Sequence, residues 1–161
     1  MKKVKIPFII QLLMLGVIIF IISRFFIQLC FIAGDSMNPT YSDKDMVLIC
    51  KFNIENQIKH NDIIVIRQES AKQTIVKRVI GVPGDTVQII DGNVYVNQQP
   101  YDEVQSFAPI EDAGLASEPI ALADGEYFVL GDNRNASIDS RFSSIGVIPA
   151  SSIIGIVIFD F

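Results

Sequence analysis

The chain has 161 residues, half of them hydrophobic, and a formal net charge of −5. This length is typical of one domain, or of one domain with a membrane anchor. The acidic balance, with its single basic cluster at the N-terminus, argues against a nucleic-acid-binding protein. One histidine and two cysteines without ligand spacing argue against a metal site, and no cofactor is expected.

The N-terminus has the pattern of a membrane anchor. The tail 1–5 contains three lysines and is followed by an uncharged apolar run, residues 6–23. About 18 residues at about 1.5 Å each give about 27 Å, enough to cross the hydrocarbon core. We therefore predict a transmembrane helix over 6–23. Because basic residues stay inside, the tail 1–5 is expected in the cytoplasm and residues 24–161 outside it.

A cleavable signal peptide has the same basic and apolar segments. Here the apolar run is long, and no small-x-small cleavage site follows it. Arg24 and a second apolar run, residues 25–32, follow instead. The second run is too short to span a bilayer, so we expect a strand at the membrane surface, with Arg24 reaching the headgroups.

Beyond residue 33 the pattern is mostly that of β-strands. Asp91 and Gly92, between alternating apolar residues, predict a hairpin. Residues 105–119 are acidic and interrupted by proline, which is typical of a loop. The fold class is therefore expected to be all-β, with packed antiparallel sheets in one compact domain. Short apolar runs bounded by polar residues predict strands at 46–49, 63–66, 74–82, 127–130 and 153–159.

The first motif with chemical potential is residues 34–40, which read Gly-Asp-Ser-Met-Asn-Pro-Thr. Ser36 follows a predicted strand and enters a turn that ends in proline. Such a turn can present the serine Oγ beside a backbone N–H group. Taken alone, the motif is equally typical of an ordinary Ser-x-x-Pro turn.

The second motif is residues 77–85, which read Lys-Arg-Val-Ile-Gly-Val-Pro-Gly-Asp. Lys77 lies within an apolar strand, where burial of an ammonium group is costly. Burial lowers the pKa of a lysine, and the neutral amine is a competent base. Arg78 is expected on the opposite face of the strand, in solvent. The alternative for Lys77 is an edge-strand lysine whose amine also reaches solvent.

The third motif is residues 131–141, which read Gly-Asp-Asn-Arg-Asn-Ala-Ser-Ile-Asp-Ser-Arg. This density of polar side chains predicts a loop with a hydrogen-bond network. A calcium loop needs acidic ligands at alternate positions and a final glutamate, and the two arginines argue against it. His60, in the polar stretch 59–62, is expected to be a solvated turn residue.

Together, the three motifs behind an N-terminal anchor resemble the bacterial type I signal peptidases, in their compact Gram-positive form. The resemblance covers nearly the whole chain. It implies a membrane-bound serine endopeptidase that removes signal peptides from exported preproteins and cuts after small residues, at Ala-x-Ala-like sites. The implied partners are signal-peptide-bearing preproteins and the lipid bilayer, with no nucleic acid and no metal.

The resemblance also implies a role for each site residue. Ser36 would be the nucleophile and Lys77 the general base, since a serine hydroxyl needs an adjacent base to attack an amide. Ser137 would hydrogen-bond to the lysine amine and orient it. Asp139 and Arg141 would form an ion pair that supports the third motif. The Ser36 N–H would supply part of the oxyanion hole.

Three positions depart from the pattern of the family. Gly34 stands where some members carry a hydroxyl residue that completes the oxyanion hole. Tyr41 replaces a usual leucine, and Ala136 replaces a frequent asparagine. Counting from the two catalytic positions, we expect Ile32, Tyr41 and Val76 to line the substrate pocket.

Three alternative functions each match part of the pattern. A self-cleaving LexA-type Ser–Lys protein would need a DNA-binding segment, where this chain has an apolar helix. An inactive relative with a pilus-assembly or chaperone-like role should lack the serine or the lysine, and both are present. A Ser–His pair would make His60 the base.

Overall fold

The computed structural model describes residues 7–54, 57–68 and 73–160. It opens with helix α1, Phe8–Phe25, which is apolar and exposed along its length. Within the described ranges, α1 is the one helix long and apolar enough to cross a membrane. Helix α1 ends two residues beyond the predicted span 6–23, and the span itself stays a prediction. Residue 6 and the tail 1–5 fall outside the described residues.

Eleven strands and two short 3-10 turns follow α1 in the described ranges. The 3-10 turns are Gly114–Ser117 and Ala150–Ser152. The strands are β1 Ile27–Phe31, β2 Met46–Cys50, β3 Ile63–Gln68, β4 Gln73–Gly81, β5 Thr86–Ile90, β6 Asn93–Val96, β7 Gln99–Pro100, β8 Ile120–Ala121, β9 Glu126–Leu130, β10 Ile148–Pro149 and β11 Ile153–Asp160.

The described strands form two antiparallel sheets. The larger has the order β1-β2-β11-β3-β4-β9-β10, and the smaller has the order β7-β6-β5-β8. Asp91 and Gly92 connect β5 to β6 with φ values of 49° and 78°, as a tight hairpin turn requires. The predicted all-β class with antiparallel sheets is confirmed.

Among the described residues, three apolar clusters hold the sheets together. One includes Ile64, Val79 and Val129 on the larger sheet. A second joins the larger sheet to the smaller one, and Phe128 is fully buried there. The third lies beneath the first motif and contains Met37, which is also fully buried. Each cluster packs around a strand that leads into the candidate site.

The topology brings the three motifs together. The first motif follows β1, and Lys77 lies within β4. The third motif follows β9, which pairs antiparallel with β4 through Arg78↔Leu130 and Val79↔Val129. The end of β9 therefore lies beside the strand that carries Lys77.

Candidate active site

Ser36 is held in a turn just after β1. The turn is closed by a hydrogen bond from the Tyr41 N–H to the Met37 carbonyl oxygen, 2.9 Å long. The Met37 side chain is fully buried below it. Among the described residues, nothing accepts a hydrogen bond from the Ser36 N–H. The turn that carries Ser36 is therefore anchored from below, while the Ser36 N–H stays available.

Lys77 is buried beside Ser36. Its Nζ lies 2.7 Å from the Ser36 Oγ, and 3% of the residue is exposed. The alternative of a lysine that reaches solvent is therefore wrong. Burial lowers the pKa of Lys77 to about 8, although the charges of Asp139 and Asp132 act to raise it.

Arg78 is also buried, so the expectation of a solvated side chain was wrong. Its Nε donates to the Asp132 Oδ1 at 2.8 Å, and its Nη1 donates to the Asn61 carbonyl oxygen at 2.9 Å. A buried guanidinium requires a counter-charge. Strand alternation could not reveal this partner, because Asp132 comes from the loop after β9.

A network around Asp132 joins the first motif to the third. The Thr40 hydroxyl donates to the same carboxylate that pairs with Arg78. The Asn133 N–H donates to the Ser36 carbonyl oxygen at 3.0 Å. The roles of Thr40, Asp132 and Asn133 were not predicted from the sequence. The sequence feature that could have indicated the Arg78–Asp132 pair is an arginine within an apolar strand, since such an arginine needs an acidic partner from elsewhere in the chain.

The close approach of these motifs depends on Gly131. A Cβ atom at this position would lie 2.5 Å from the Ser36 carbonyl oxygen and would overlap the Ser137 Oγ. Any side chain here would therefore push Ser36 away from the third motif.

Asp139 and Arg141 form an ion pair in which both side chains are buried. The Arg141 Nε and Nη2 donate to the two carboxylate oxygens at 2.8 and 2.9 Å. The Gly131 N–H donates to Asp139 at 3.0 Å, and the Arg141 Nη2 also donates to the Arg134 carbonyl oxygen at 2.6 Å. The pair therefore fixes both ends of the loop that carries Ser137.

Ser137 lies against Gly131, but the expected hydrogen bond to Lys77 is not formed. Its Oγ is buried and has no hydrogen-bond partner among the described residues. The Lys77 amine is instead directed at the Ser36 Oγ. A buried hydroxyl without a partner is uncommon and is found at catalytic sites.

Replacing Ser137 with alanine should leave the melting temperature unchanged or slightly higher, because the change removes an unpaired buried hydroxyl. Cleavage should slow by about tenfold, because we expect this hydroxyl to orient the amine when substrate binds. Thermal melts and single-turnover kinetics on purified protein separate the two effects. A large fall in melting temperature with normal turnover would assign Ser137 a structural role instead.

A cleft with a volume of about 170 Å³ opens beside Ser36 and Lys77. Ile32 and Val76 line this cleft, whereas Tyr41 does not. Tyr41 packs in the core cluster below, so its predicted place in the pocket wall was wrong. The turn after Ser36 directs Tyr41 inward. The lining residues are Cys30, Phe31, Ile32, Ala33, Ser36, Met37, Gln73, Thr74, Ile75, Val76 and Lys77.

His60 lies in a turn, as expected, with 42% of its side chain exposed. Its Nε2 is 2.7 Å from the Asp85 Oδ2. Asp85 also accepts hydrogen bonds from the Val82 N–H and the Asn97 amide. His60 therefore takes part in the turn of the second motif, whereas the hydroxyl of Ser36 is contacted by Lys77.

Several known proteins with similar sequences carry the name signal peptidase I. Signal peptidase I T of Bacillus subtilis strain 168 is 35% identical over 149 residues, covering 88% of this chain and 77% of the relative. Signal peptidase IB of Staphylococcus aureus is 32% identical over 176 aligned residues, covering 100% of this chain and 91% of the relative.

A solved structure and a family model agree with these relatives. The crystal structure of a signal peptidase I from Enterococcus faecalis V583 is 28% identical, with a TM-score of 0.50, covering 63% of this chain and 97% of that chain. The sequence model of the family described as signal peptidase, peptidase S26, matches residues 5–161. This chain therefore belongs to the signal peptidase family of peptidases, S26.

Proposed function

We propose that this protein is a membrane-bound signal peptidase I in which Ser36 is the nucleophile and Lys77 the general base. The observation that carries the proposal is the contact of 2.7 Å between a buried lysine amine and the Ser36 hydroxyl. A nucleophile within hydrogen-bond reach of a base is the geometry that covalent catalysis requires.

The lowered pKa of Lys77 makes the proton transfer feasible. With a pKa of about 8, about one tenth of the amine is neutral at pH 7, against fewer than about one in a thousand at the ordinary value. The neutral Nζ accepts the Ser36 proton as Oγ attacks the scissile carbonyl carbon. The protonated amine then gives this proton to the leaving nitrogen, and water hydrolyses the acyl-enzyme ester.

The oxyanion that forms during the attack needs donors already in place. The Ser36 N–H is available for this role, since no described residue accepts from it. The Gly34 N–H is engaged with the Asp43 carboxylate at 2.9 Å, and Gly34 offers no hydroxyl. The Ser36 N–H is therefore the donor that we assign.

The substrate segment would bind as an added strand. Within the described strands, residues 73–77 of β4 pair with β3 on one side, and β9 joins β4 only from Arg78 onward. Main-chain groups on an unpaired strand edge can bind an extended peptide. The cleft is small, and Ile32 and Val76 give it apolar walls. A small apolar cleft favours small apolar side chains, which fits cleavage after an Ala-x-Ala-like site.

The membrane topology is part of the proposal. Helix α1 would span the bilayer, with the basic tail 1–5 in the cytoplasm and the domain on the other side. Protease added to intact spheroplasts should therefore digest the domain beyond Gly34. Digestion that requires lysis would contradict this orientation.

The function is tested by incubating purified full-length protein with a signal-peptide-bearing preprotein in detergent micelles. The wild type should release the mature protein, with a new N-terminus after a small residue. Ser36→Ala should fold and release none. Cleavage by Ser36→Ala at the wild-type rate would contradict the assignment of the nucleophile.

A further inference from the structure

The junction between α1 and β1 is held by a side chain from the end of β2. Lys51 follows Cys50, the last residue of β2. Its Nζ donates to the carbonyl oxygens of Ser23 and Arg24 at 3.1 and 3.0 Å. It also donates to the Gln28 Oε1 at 3.2 Å. An ammonium group has three protons, so each of them has an acceptor here.

A second set of contacts joins Lys51 and Phe52 to Phe26, the residue between α1 and β1. The Lys51 N–H donates to the Phe26 carbonyl oxygen at 2.8 Å. The rings of Phe26 and Phe52 stack with their centroids 5.1 Å apart. We call Lys51 and Phe52 the junction clamp.

The chemistry of a helix end explains why a lysine is suited to this place. The last carbonyl groups of a helix have no partner within the helix, and a cation near them is favourable. At the edge of a bilayer an unsatisfied carbonyl is more costly than in water. By binding two of these carbonyls, Lys51 fixes the end of α1 on the domain.

The clamp is connected to the nucleophile by paired structure. Only Phe26 separates α1 from β1. The strand β2, which leads into the clamp, pairs with β1 from Ile27↔Cys50 to Phe31↔Met46. Residues 32–36 then continue directly to Ser36. The position of α1 is thus transmitted to the cleft through a continuous pair of strands.

We propose that the junction clamp fixes the height and tilt of the Ser36 cleft relative to the bilayer, which makes Lys51 and Phe52 positioning residues for membrane-inserted substrates. This proposal rests on the proposed function. A cleavage site at the end of a membrane-inserted segment reaches the cleft only at a matching height. A short soluble peptide reaches it from any direction and does not need this alignment.

The experiment compares two substrates with the full-length protein. One is a preprotein inserted in liposomes that also contain the enzyme, and the other is a short soluble peptide cleaved in detergent micelles. The variants are Lys51→Met, Lys51→Arg and Phe52→Ala. Lys59→Met is the matched control, because it removes an exposed lysine whose described hydrogen bonds are to Asp62 and not to the junction.

Lys51→Met should lower kcat/KM for the inserted preprotein by about tenfold, because it removes all three hydrogen bonds that the amine donates to the junction. Cleavage of the soluble peptide should stay within about twofold of wild type. Lys51→Arg should restore preprotein cleavage, since guanidinium N–H groups also donate to carbonyls. Phe52→Ala keeps the lysine contacts and should also slow cleavage of the inserted preprotein while leaving cleavage of the soluble peptide unchanged. If Lys51→Met fails to fold, Phe52→Ala tests the proposal in its place.

Equal losses on both substrates, or no loss on the inserted preprotein, would overturn the proposal, as would a similar loss in Lys59→Met. A wild-type enzyme that cleaves neither substrate would instead overturn the proposed function, and this proposal with it. The soluble peptide thus separates a failure of alignment from a failure of catalysis.

Discussion

Lys77→Arg and Lys77→Met should both be folded and inactive, with cleavage reduced on the order of 10³-fold or more. Arginine keeps the charge but does not deprotonate in proteins, so it cannot accept the Ser36 proton. Methionine has a similar length and no base. Preprotein cleavage by the purified variants measures the effect, with circular dichroism as the check on folding.

His60→Ala is the control for the alternative base. His60 contacts Asp85 in the second-motif turn, so this variant should keep near-normal activity with a small loss of stability. Substantial cleavage by Lys77→Arg, or a folded but inactive His60→Ala, would contradict the Ser–Lys mechanism.

Breaking the buried ion pair should have the largest effect on stability. Asp139 is fully buried and Arg141 is 2% exposed. Asp139→Asn or Arg141→Ala would leave one buried charge without its partner, which typically costs about 3–5 kcal/mol. For a domain of this size we expect the melting temperature to fall by about 10 °C. Differential scanning calorimetry on the purified variants measures it.

Lys44→Met is the matched control, because it breaks the exposed ion pair with Asp43, in which the lysine side chain is 89% exposed. Its melting temperature should stay close to that of the wild type, since exposed pairs contribute little. Asp139→Asn should also shift the pH–rate profile to lower pH, because the Asp139 charge raises the pKa of Lys77. An unchanged melting temperature in both ion-pair variants would contradict a supporting role for the pair.

Most of the longer strands could be predicted from the sequence, because each depends on the pattern of its own neighbouring residues. Strand β2 has alternately buried positions, and the run 46–49 matched it almost fully. The Asp91–Gly92 hairpin was predicted because its turn needs positive φ at both residues. The two-residue strands β7, β8 and β10 were missed, since pairs this short depend on neighbours rather than on their own pattern.

In the candidate site, too, residues within local motifs were identified from the sequence, whereas contacts between distant segments were not. Ser36, Lys77 and the Asp139–Arg141 pair were singled out through motifs and resemblance. The burial of Arg78 was missed because its partner, Asp132, lies 54 positions away in the chain. Tyr41 was misplaced because position along the chain does not fix which way a turn directs a side chain. Contacts between distant segments are what local patterns leave out.

The pH dependence of kcat/KM on a soluble peptide tests the central claim most directly, because it reports the ionisation of the free enzyme. A base must be neutral to work, so the rate should rise about tenfold per pH unit below the pKa and level off above it. The account predicts a midpoint near 8, the pKa of the buried Lys77 amine, in both the wild type and His60→Ala. A midpoint that is present in the wild type and disappears in His60→Ala would assign the base to histidine and contradict the account.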